Sequence, residues 1–481
     1  MIDITKKQYV ISAIKRNLPQ MKEILLPNDI YLYIGAQLST QYIYNANGDQ
    51  YILLGNAFHT KERNTSISEV TKLYSGNDIN DLVNSWTGRW ILITPKEIQI
   101  DACGLMSAFY VLGNEWCISS SLAIMSKITG VKSKRQVADQ GITWQILPYT
   151  LVDGVMALLC TQKFTLQNKN LSVVFNQWII DYRNLTTIEK SKRIGEILQN
   201  GICNIECISN RKIWIALTAG KDSRLTLASA LSSNIKFYSF TLEHDNISTC
   251  DKKIPHTIAK ELGFKHLLIR QKQTNNDKEQ EYQQFCNSNS FGIDIKFYAK
   301  QQFDQIPTDS IIIRSGIFEA AQKYGRSITD SNRNNFEKNM KRYYKSSFED
   351  KVQMIAFNEW LEYTKSNEID FIDIRDRMYI EQRVGGWAAG IEQALCINDW
   401  DSIQIANCRE LVSLLLSATE DERNNLSLSF EPIKNMVPPL HSYPYNKSTI
   451  IDKVNLIIKT LKSPNKLREY MFHKVNKLFK Q

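Results

Sequence analysis

One stretch constrains this chain more than any other: Ile213-Trp-Ile-Ala-Leu-Thr-Ala-Gly-Lys-Asp-Ser-Arg224, an apolar run that enters a small polar loop and then Leu225-Thr-Leu-Ala-Ser-Ala-Leu231, which has helical spacing. A buried strand that feeds a helix through so short a bend has few solutions, and the composition of the bend narrows them. Thr218, Ala219 and Gly220 keep side-chain bulk low, so main-chain N–H groups and the partly positive helix N-terminus can approach an anion. Thr218 and Ser223 add hydroxyl donors, and Lys221 and Arg224 add positive charge. Asp222 makes sense beside phosphate when a Mg²⁺ ion bridges the two. The spacing is neither Gly-x-x-x-x-Gly-Lys-[Ser/Thr] nor Gly-x-Gly-x-x-Gly.

The segments that follow extend the pattern. Residues 235–242 and 266–270 read as strands around a helix at 251–262 that Gly263 ends, and 310–315 reads as a fourth strand. Strands alternating with helices predict a parallel sheet covered by helices on both faces, with ligands bound beyond the carboxyl ends of the strands.

The loop resembles the Ser-Gly-Gly-x-Asp-Ser pyrophosphate loop of the ATP pyrophosphatases, which include asparagine synthetases; Thr218 stands for the first Ser and Ala219 for the first Gly. The resemblance implies ATP and Mg²⁺ as cofactors. Thr218, Ala219, Gly220, Asp222 and Ser223 would hold phosphates, with Lys221 and Asp222 catalytic, and main-chain groups at Phe240 and Thr241 would hold adenine. Ser315 and Gly316 match the start of the family's Ser-Gly-Glu-Gly-Ser-Asp-Glu segment, and Glu319 is the carboxylate near them. Glu319 is either the second metal-side carboxylate beside Asp222 or a solvated charge at a helix N-terminus. Arg314, Lys323 and Arg326 would neutralise pyrophosphate or lie on the surface.

Asp376-Arg-Met-Tyr-Ile-Glu-Gln-Arg-Val-Gly-Gly-Trp387 resembles the helix that lines the acceptor side in these enzymes. Tyr379, paired with Glu381 or Glu392, would be the counterpart of a Tyr–Glu pair that deprotonates the attacking nitrogen; helix-surface residues are the plain alternative. Lys447, after a Pro-containing turn, either meets developing negative charge or is exposed. Asn407-Cys-Arg-Glu-Leu411 and 420–423 resemble family patterns whose place is structural, pinning the site from beneath.

In the amino-terminal half, 87–94 and 97–111 alternate apolar and polar residues like paired antiparallel strands, and Tyr51-Ile-Leu-Leu-Gly-Asn56 fits another strand. Their Gly-Arg-Trp, Asp-x-x-Gly and Phe-Tyr elements resemble the amidotransferase-like domain that precedes an asparagine synthetase domain. Working glutaminases of that family place a nucleophilic Cys after the initiator Met. Here Ile2 stands at that position, no Cys precedes Cys103, and Cys103 or Cys117 would lack the free α-amine that serves as base. The expectation is therefore a degenerate class II glutamine amidotransferase-like domain over 1–185, an Ntn-type β-sandwich. Over 186–481 an asparagine synthetase-like ATP pyrophosphatase domain with a parallel sheet and a helical C-terminal part follows, each domain with its own core. The boundary falls within 181–187. β-Lactam synthetases and lasso-peptide cyclases show the same loss.

Nine cysteines without C-x-x-C pairs and six histidines without ligand spacing argue against zinc and for reduced thiols. No apolar run approaches the roughly 18 residues needed to cross a membrane, and no apolar signal core is seen, so the expected location is the cytoplasm. Of the net charge of +9, most sits in 447–481, where apolar residues recur at helical intervals beside lysines. That tail is either a terminal helix packed on the domain or a contact for an acidic protein, an anionic surface or RNA. Nucleic acid is not the expected partner. The residues point first to an ATP-dependent, AMP- and pyrophosphate-forming amide ligase in the biosynthesis of a modified small molecule or peptide. It would join a carboxylate to an amine through an acyl-adenylate, without glutaminase activity. A non-catalytic scaffold of the same fold and an RNA-modifying pyrophosphate-loop enzyme are the alternatives.

Overall fold

Alternating apolar residues in the amino-terminal half build two six-stranded antiparallel sheets. In space the first runs Met156–Ala157, Phe109–Val111, Cys117–Ser119, Tyr9–Ser12, Ile30–Gly35, Met21–Leu26, and the second Asn170–Phe175, Gln162–Gln167, Glu97–Ile100, Trp86–Ile93, Gln50–His59, Thr40–Tyr44. Their inner faces share one core, with Tyr9, Ile11 and Leu32 from the first sheet against Leu54, Ile91 and Phe164 from the second. Gly88 lets its strand approach Gln50–His59 closely: its φ is +127°, and a Cβ there would lie 2.1 Å from the Asn56 carbonyl oxygen. The structure is a computed structural model and describes residues 3–132, 137–138, 141–244, 247–272, 303–322 and 333–445.

The carboxyl-terminal half is built on a five-stranded parallel sheet ordered His266–Arg270, Phe237–Glu243, Lys212–Ala216, Ser310–Arg314, Asp401–Gln404. The fifth strand was not anticipated from the sequence. Both faces are covered, which is why the central strands read as unbroken apolar runs. On one face Ile213, Ile215, Ile311 and Ile313 pack with Ile194 and Leu198 of helix Thr187–Ser209, Leu225 of Lys221–Ser232 and Ile258 of Thr249–Leu262. On the other, Trp214, Phe240 and Ile312 meet Ile391, Leu395 and Trp400. Helix Thr187–Ser209 opens with a reciprocal cap in which Thr186 and Glu189 satisfy each other's main-chain N–H groups.

The two halves do not keep separate cores. Cys103, Leu105 and Trp178 join Ile380 and Leu411 in one cluster, and Val10, Phe109 and Leu147 join Phe357 and Trp360 in another. Buried polar pins cross the same junction. The Asn407 side chain accepts from the Cys103 N–H at 3.0 Å and donates to Asp101 at 2.8 Å. Arg409 donates to the Ile100 carbonyl and to Asn80, and Lys7 donates to the Trp400 carbonyl and pairs with Asp401. Asn407 and Arg409 thus pin the halves to each other. Arg423 supports the turn after the fourth parallel strand, donating to the Ala320 carbonyl and pairing with Asp376. Among the described residues no helix is long and apolar enough to cross a membrane.

Candidate functional site

From strand Lys212–Ala216 the chain moves to one side of the sheet, then returns to lay Ser310–Arg314 on the other side. That reversal opens a crevice at the carboxyl ends of the two strands, the place where open α/β sheets bind ligands. A cavity of about 490 Å³ occupies it, lined by Thr218, Gly220, Lys221, Asp222, Ser223, Ser315, Gly316, Glu319 and Tyr379, with Leu105 contributed by the amino-terminal half. A second cavity of about 410 Å³ shares Ala216, Thr218 and Arg314 with it and is walled by Phe240, Thr241, Phe303 and Trp400. The fold therefore gathers most of the residues singled out in the sequence around two adjoining spaces, one polar and one aromatic.

The loop itself differs from expectation. The Thr218 N–H donates to Ser223 Oγ at 3.1 Å, the Ala219 N–H to Asp251 Oδ1 at 2.8 Å, and the Gly220 N–H to Thr218 Oγ1 at 3.1 Å. These three groups, expected to face an anion, are held by the protein's own side chains. The reason is local: Thr218 and Ser223 reach each other across the bend, and Asp251, fixed by Ser248 at the start of Thr249–Leu262, projects into it. What remains is the first turn of helix Lys221–Ser232. Its cap residue Gly220 offers no side-chain bond, and first-turn N–H groups have no acceptor within a helix. Lys221, Asp222 and Ser223 thus present main-chain donors at the cavity edge.

Arg224 is not a phosphate cation. It is fully buried and donates to the carbonyls of Ala219, Leu440, Tyr443 and Pro444 while stacking 3.9 Å from the Tyr445 ring centre. Burial lowers its pKa, and its work is to tie the loop to 440–445.

Asp222 lies 3.7 Å from Lys221 Nζ and accepts from Gln322 at 3.2 Å. Burial raises the pKa of its carboxyl, Lys221 offsets this in part and the Glu319 charge adds to it, and both carboxylates line the one cavity. Tyr379 lines the same cavity, and its phenol is held well above its usual range, by burial first and then by Glu319. A like-charged pair of this kind fits a divalent cation, because Mg²⁺ is commonly held by one or two carboxylates together with phosphate oxygens. Among the described residues no three His, Cys, Asp or Glu side chains converge, so phosphates and water would complete such a shell. Glu319 sits in the turn Phe318–Ala321 behind Ile317, whose φ of +76° is costly for a β-branched residue and sets the turn's direction.

Ser315 and Gly316 wall the cavity, but their polar groups are engaged, Ser315 with Thr226 at 2.8 Å and the Gly316 N–H with Gln404 at 2.7 Å. Gln404 and Arg314 both donate to one oxygen of Glu392, a buried carboxylate whose second oxygen has no partner among the described residues. In the aromatic cavity the Phe240 carbonyl accepts from the Leu217 N–H at 2.9 Å, and Thr241 donates to the Leu217 carbonyl at 2.6 Å. Those groups extend the pairing of the strands. The Phe240, Phe303 and Trp400 rings, edge to face at 6.2 and 5.0 Å, are what this space offers a flat ring.

Glu381 is placed elsewhere. Met378–Ala388 is a wide helix with i→i+5 bonding, which turns Tyr379, Arg383 and Trp387 toward the cavity. Glu381, on its far side and fully buried, accepts from Thr161 at 2.6 Å, Trp360 at 2.7 Å and Arg377 at 2.7 Å. It holds the halves together and does not line the cavity. Lys447, Lys323, Arg326, Ile2 and the basic tail lie outside the described residues. Sequence reasoning missed Gln322, Leu105 and Trp400, and it quoted Trp387 only as the end of the 376–387 segment without giving it a role.

No family model and no curated protein sequence matches the chain. Among solved structures it is similar to an NMN synthetase from Francisella tularensis, at 14% identity over 42% of this chain and 94% of that one, with a TM-score of 0.21. It is also similar to a glutamine-dependent NAD+ synthetase from Acinetobacter baumannii in complex with adenosine diphosphate, at 12% identity over 60% of this chain and 61% of that one, with a TM-score of 0.21. At these values neither likeness bears on the fold or the function, which rest on the geometry above.

Proposed function

We propose that this chain is an ATP-dependent, AMP- and pyrophosphate-forming amide ligase of the asparagine synthetase-like kind. Residues 1–185 would be an amidotransferase-like domain of Ntn type and 186–481 the nucleotide-binding domain. One observation carries the proposal: the open first turn of helix Lys221–Ser232 and the carboxylates Asp222 and Glu319 border one cavity, and an aromatic cavity adjoins it at Thr218. That is the layout a nucleotide with a cation on its phosphates calls for.

In this reading the base enters the space between Phe240 and Trp400, and the phosphates lie against Thr218 and the N–H groups of 221–223. A substrate carboxylate attacks the α-phosphorus; the bond to the bridging oxygen breaks and pyrophosphate leaves toward Lys221. An amine then attacks the acyl carbon, expelling AMP and giving up a proton. Tyr379 is neutral at physiological pH and stands where it can relay that proton. Mg²⁺, held by Asp222 and Glu319, would supply neutralisation of charge on the pyrophosphate.

A second reading, a scaffold that binds no nucleotide, is favoured by the internal bonds that occupy the N–H groups of 218–220. Calorimetric titration of MgATP separates the two. The ligase reading expects binding that weakens at least tenfold in Asp222→Asn and in Glu319→Gln, with both variants melting within a few degrees of the parent. An absence of binding at millimolar MgATP selects the scaffold.

A further inference from the structure

Strand Thr40–Tyr44 is the last of its sheet, paired with Gln50–His59 on one side and, among the described residues, with no strand on the other. Antiparallel pairing fixes which of its main-chain groups are engaged. The Gly55 N–H donates to the Ser39 carbonyl and the Asn45 N–H to the Asp49 carbonyl. In this register the odd-numbered residues bond inward, and Thr40, Tyr42 and Tyr44 turn both N–H and C=O outward. The next outward donor, at Ala46, is taken by the Tyr74 carbonyl at 2.9 Å, which confines the open edge to 40–44.

An open edge invites pairing unless charge, proline or a cover guards it. Three other edge strands are guarded: Met21–Leu26 carries exposed Lys22 and Glu23, His266–Arg270 ends in an exposed arginine, and Asp401 in Asp401–Gln404 is tied to Lys7 and Arg211. Thr40–Tyr44 has no such protection. In a chain with 23% charged residues none falls between Ile30 and Gly48, and Thr, Tyr and Ile favour sheets. Tyr42 and Tyr44 are 45% and 50% exposed, and Leu73, 83% exposed, adjoins the residue that meets Ala46.

We infer that this edge pairs antiparallel with the same edge of a second copy, joining two chains into a twofold homodimer. The register centred on Tyr42 uses every outward residue: Tyr42 lies opposite the same residue of the second copy, and Thr40 lies opposite Tyr44. Each outward N–H then meets an outward C=O, a match that symmetry guarantees for an identical strand. No like charges are brought together, because the strand carries none, and the tyrosine rings of the two copies cover one another across the pair. Since the same patch serves both chains, the contact closes at two and does not propagate. A pairing of five residues lies at the small end of interfaces, so the dimer forms and dissociates over the micromolar range. The inference does not depend on the ligase reading.

The test is analytical ultracentrifugation of the full chain from about 1 to 100 µM. The parent is expected to pass from monomer to dimer as concentration rises. Tyr42→Lys sets like charges opposite each other, and Tyr42→Pro removes an outward donor while sparing the inward ladder, so both should stay monomeric throughout. Tyr42→Glu should also be monomeric alone, yet an equal mixture of it with Tyr42→Lys should dimerise again, because the two positions face each other. The inference is overturned if the parent is monomeric at the highest concentration or assembles beyond a dimer. It is equally overturned if the dimer survives either Tyr42→Lys or Tyr42→Pro, or if the mixed variants fail to associate. Circular dichroism melts within a few degrees of the parent confirm that each variant folds, and should Tyr42→Pro unfold, the charge variants decide.

Discussion

Replacing Asn407 with Ala tests how far the amino-terminal half is integral to the protein. The Asn407 side chain is fully buried and bridges the halves three ways, accepting from the Cys103 N–H and donating to the Gly88 carbonyl and the Asp101 carboxylate. Asp101 is itself enclosed, with a pKa raised by burial and offset first by this hydrogen bond, then by those from the Leu105 and Met106 N–H groups. Truncation therefore leaves a main-chain donor unmet and strips one donor from a buried carboxylate. At about 1–3 kcal/mol for the former and a similar amount for a bond to a charged group, the expected loss is roughly 3–5 kcal/mol. Asn407→Asp should be worse, because it sets a second carboxylate against the first. Urea unfolding at 25 °C, followed by tryptophan fluorescence and far-UV dichroism together, measures this. A loss below about 1 kcal/mol would refute the claim that this junction is satisfied as described.

Three further outcomes follow from the same contacts. Arg224→Leu frees the carbonyls of Ala219, Tyr443 and Pro444, so it should cost about 3 kcal/mol and hasten proteolytic cleavage around 440–445; unchanged cleavage would contradict its role as a tie. Glu381→Gln deprives buried Arg377 of its counter-charge and should cost about 3–5 kcal/mol while leaving MgATP affinity within twofold, and the opposite pattern would return Glu381 to the site. Burial depresses the His266 pKa from 6.5 to about 4. The unfolded chain then takes up a proton near pH 6.5 that the folded state refuses, so this group's contribution is full above that pH and is lost as pH falls toward 4. His266→Gln should flatten that part of the stability curve; an unaltered slope would mean the ring is not shielded.

The parallel sheet was legible where burial left a mark. Strands covered on both faces appear as runs such as Ile213–Leu217, and Gly263 announces the end of its helix. Strand Asp401–Gln404 left no such mark, since Ile403 is its one apolar residue and its place depends on the neighbouring strand. The ligands that close the loop from within were equally invisible: Asp251 is 32 residues from Ala219, and only the folded sheet brings them together. Glu381 entered only through the family's Tyr–Glu pair, and residue spacing argues against it: Tyr379, Arg383 and Trp387, four apart, share one side of the helix, and Glu381, two residues from Tyr379, points to the other. The φ of Ile317 runs against residue preference, so no reading of residue types would have found that turn.

The central claim is that the first turn at 221–223, with Asp222 and Glu319, receives the phosphates of a nucleotide. A crystal structure of the full chain with Mg²⁺ and a non-hydrolysable ATP analogue tests it most directly. The account predicts phosphate oxygens on the N–H groups of Lys221, Asp222 and Ser223, a metal between the two carboxylates, and the base beside Phe240 and Trp400. An analogue bound elsewhere, or none bound while Ser223 and Asp251 keep the loop closed, would contradict it.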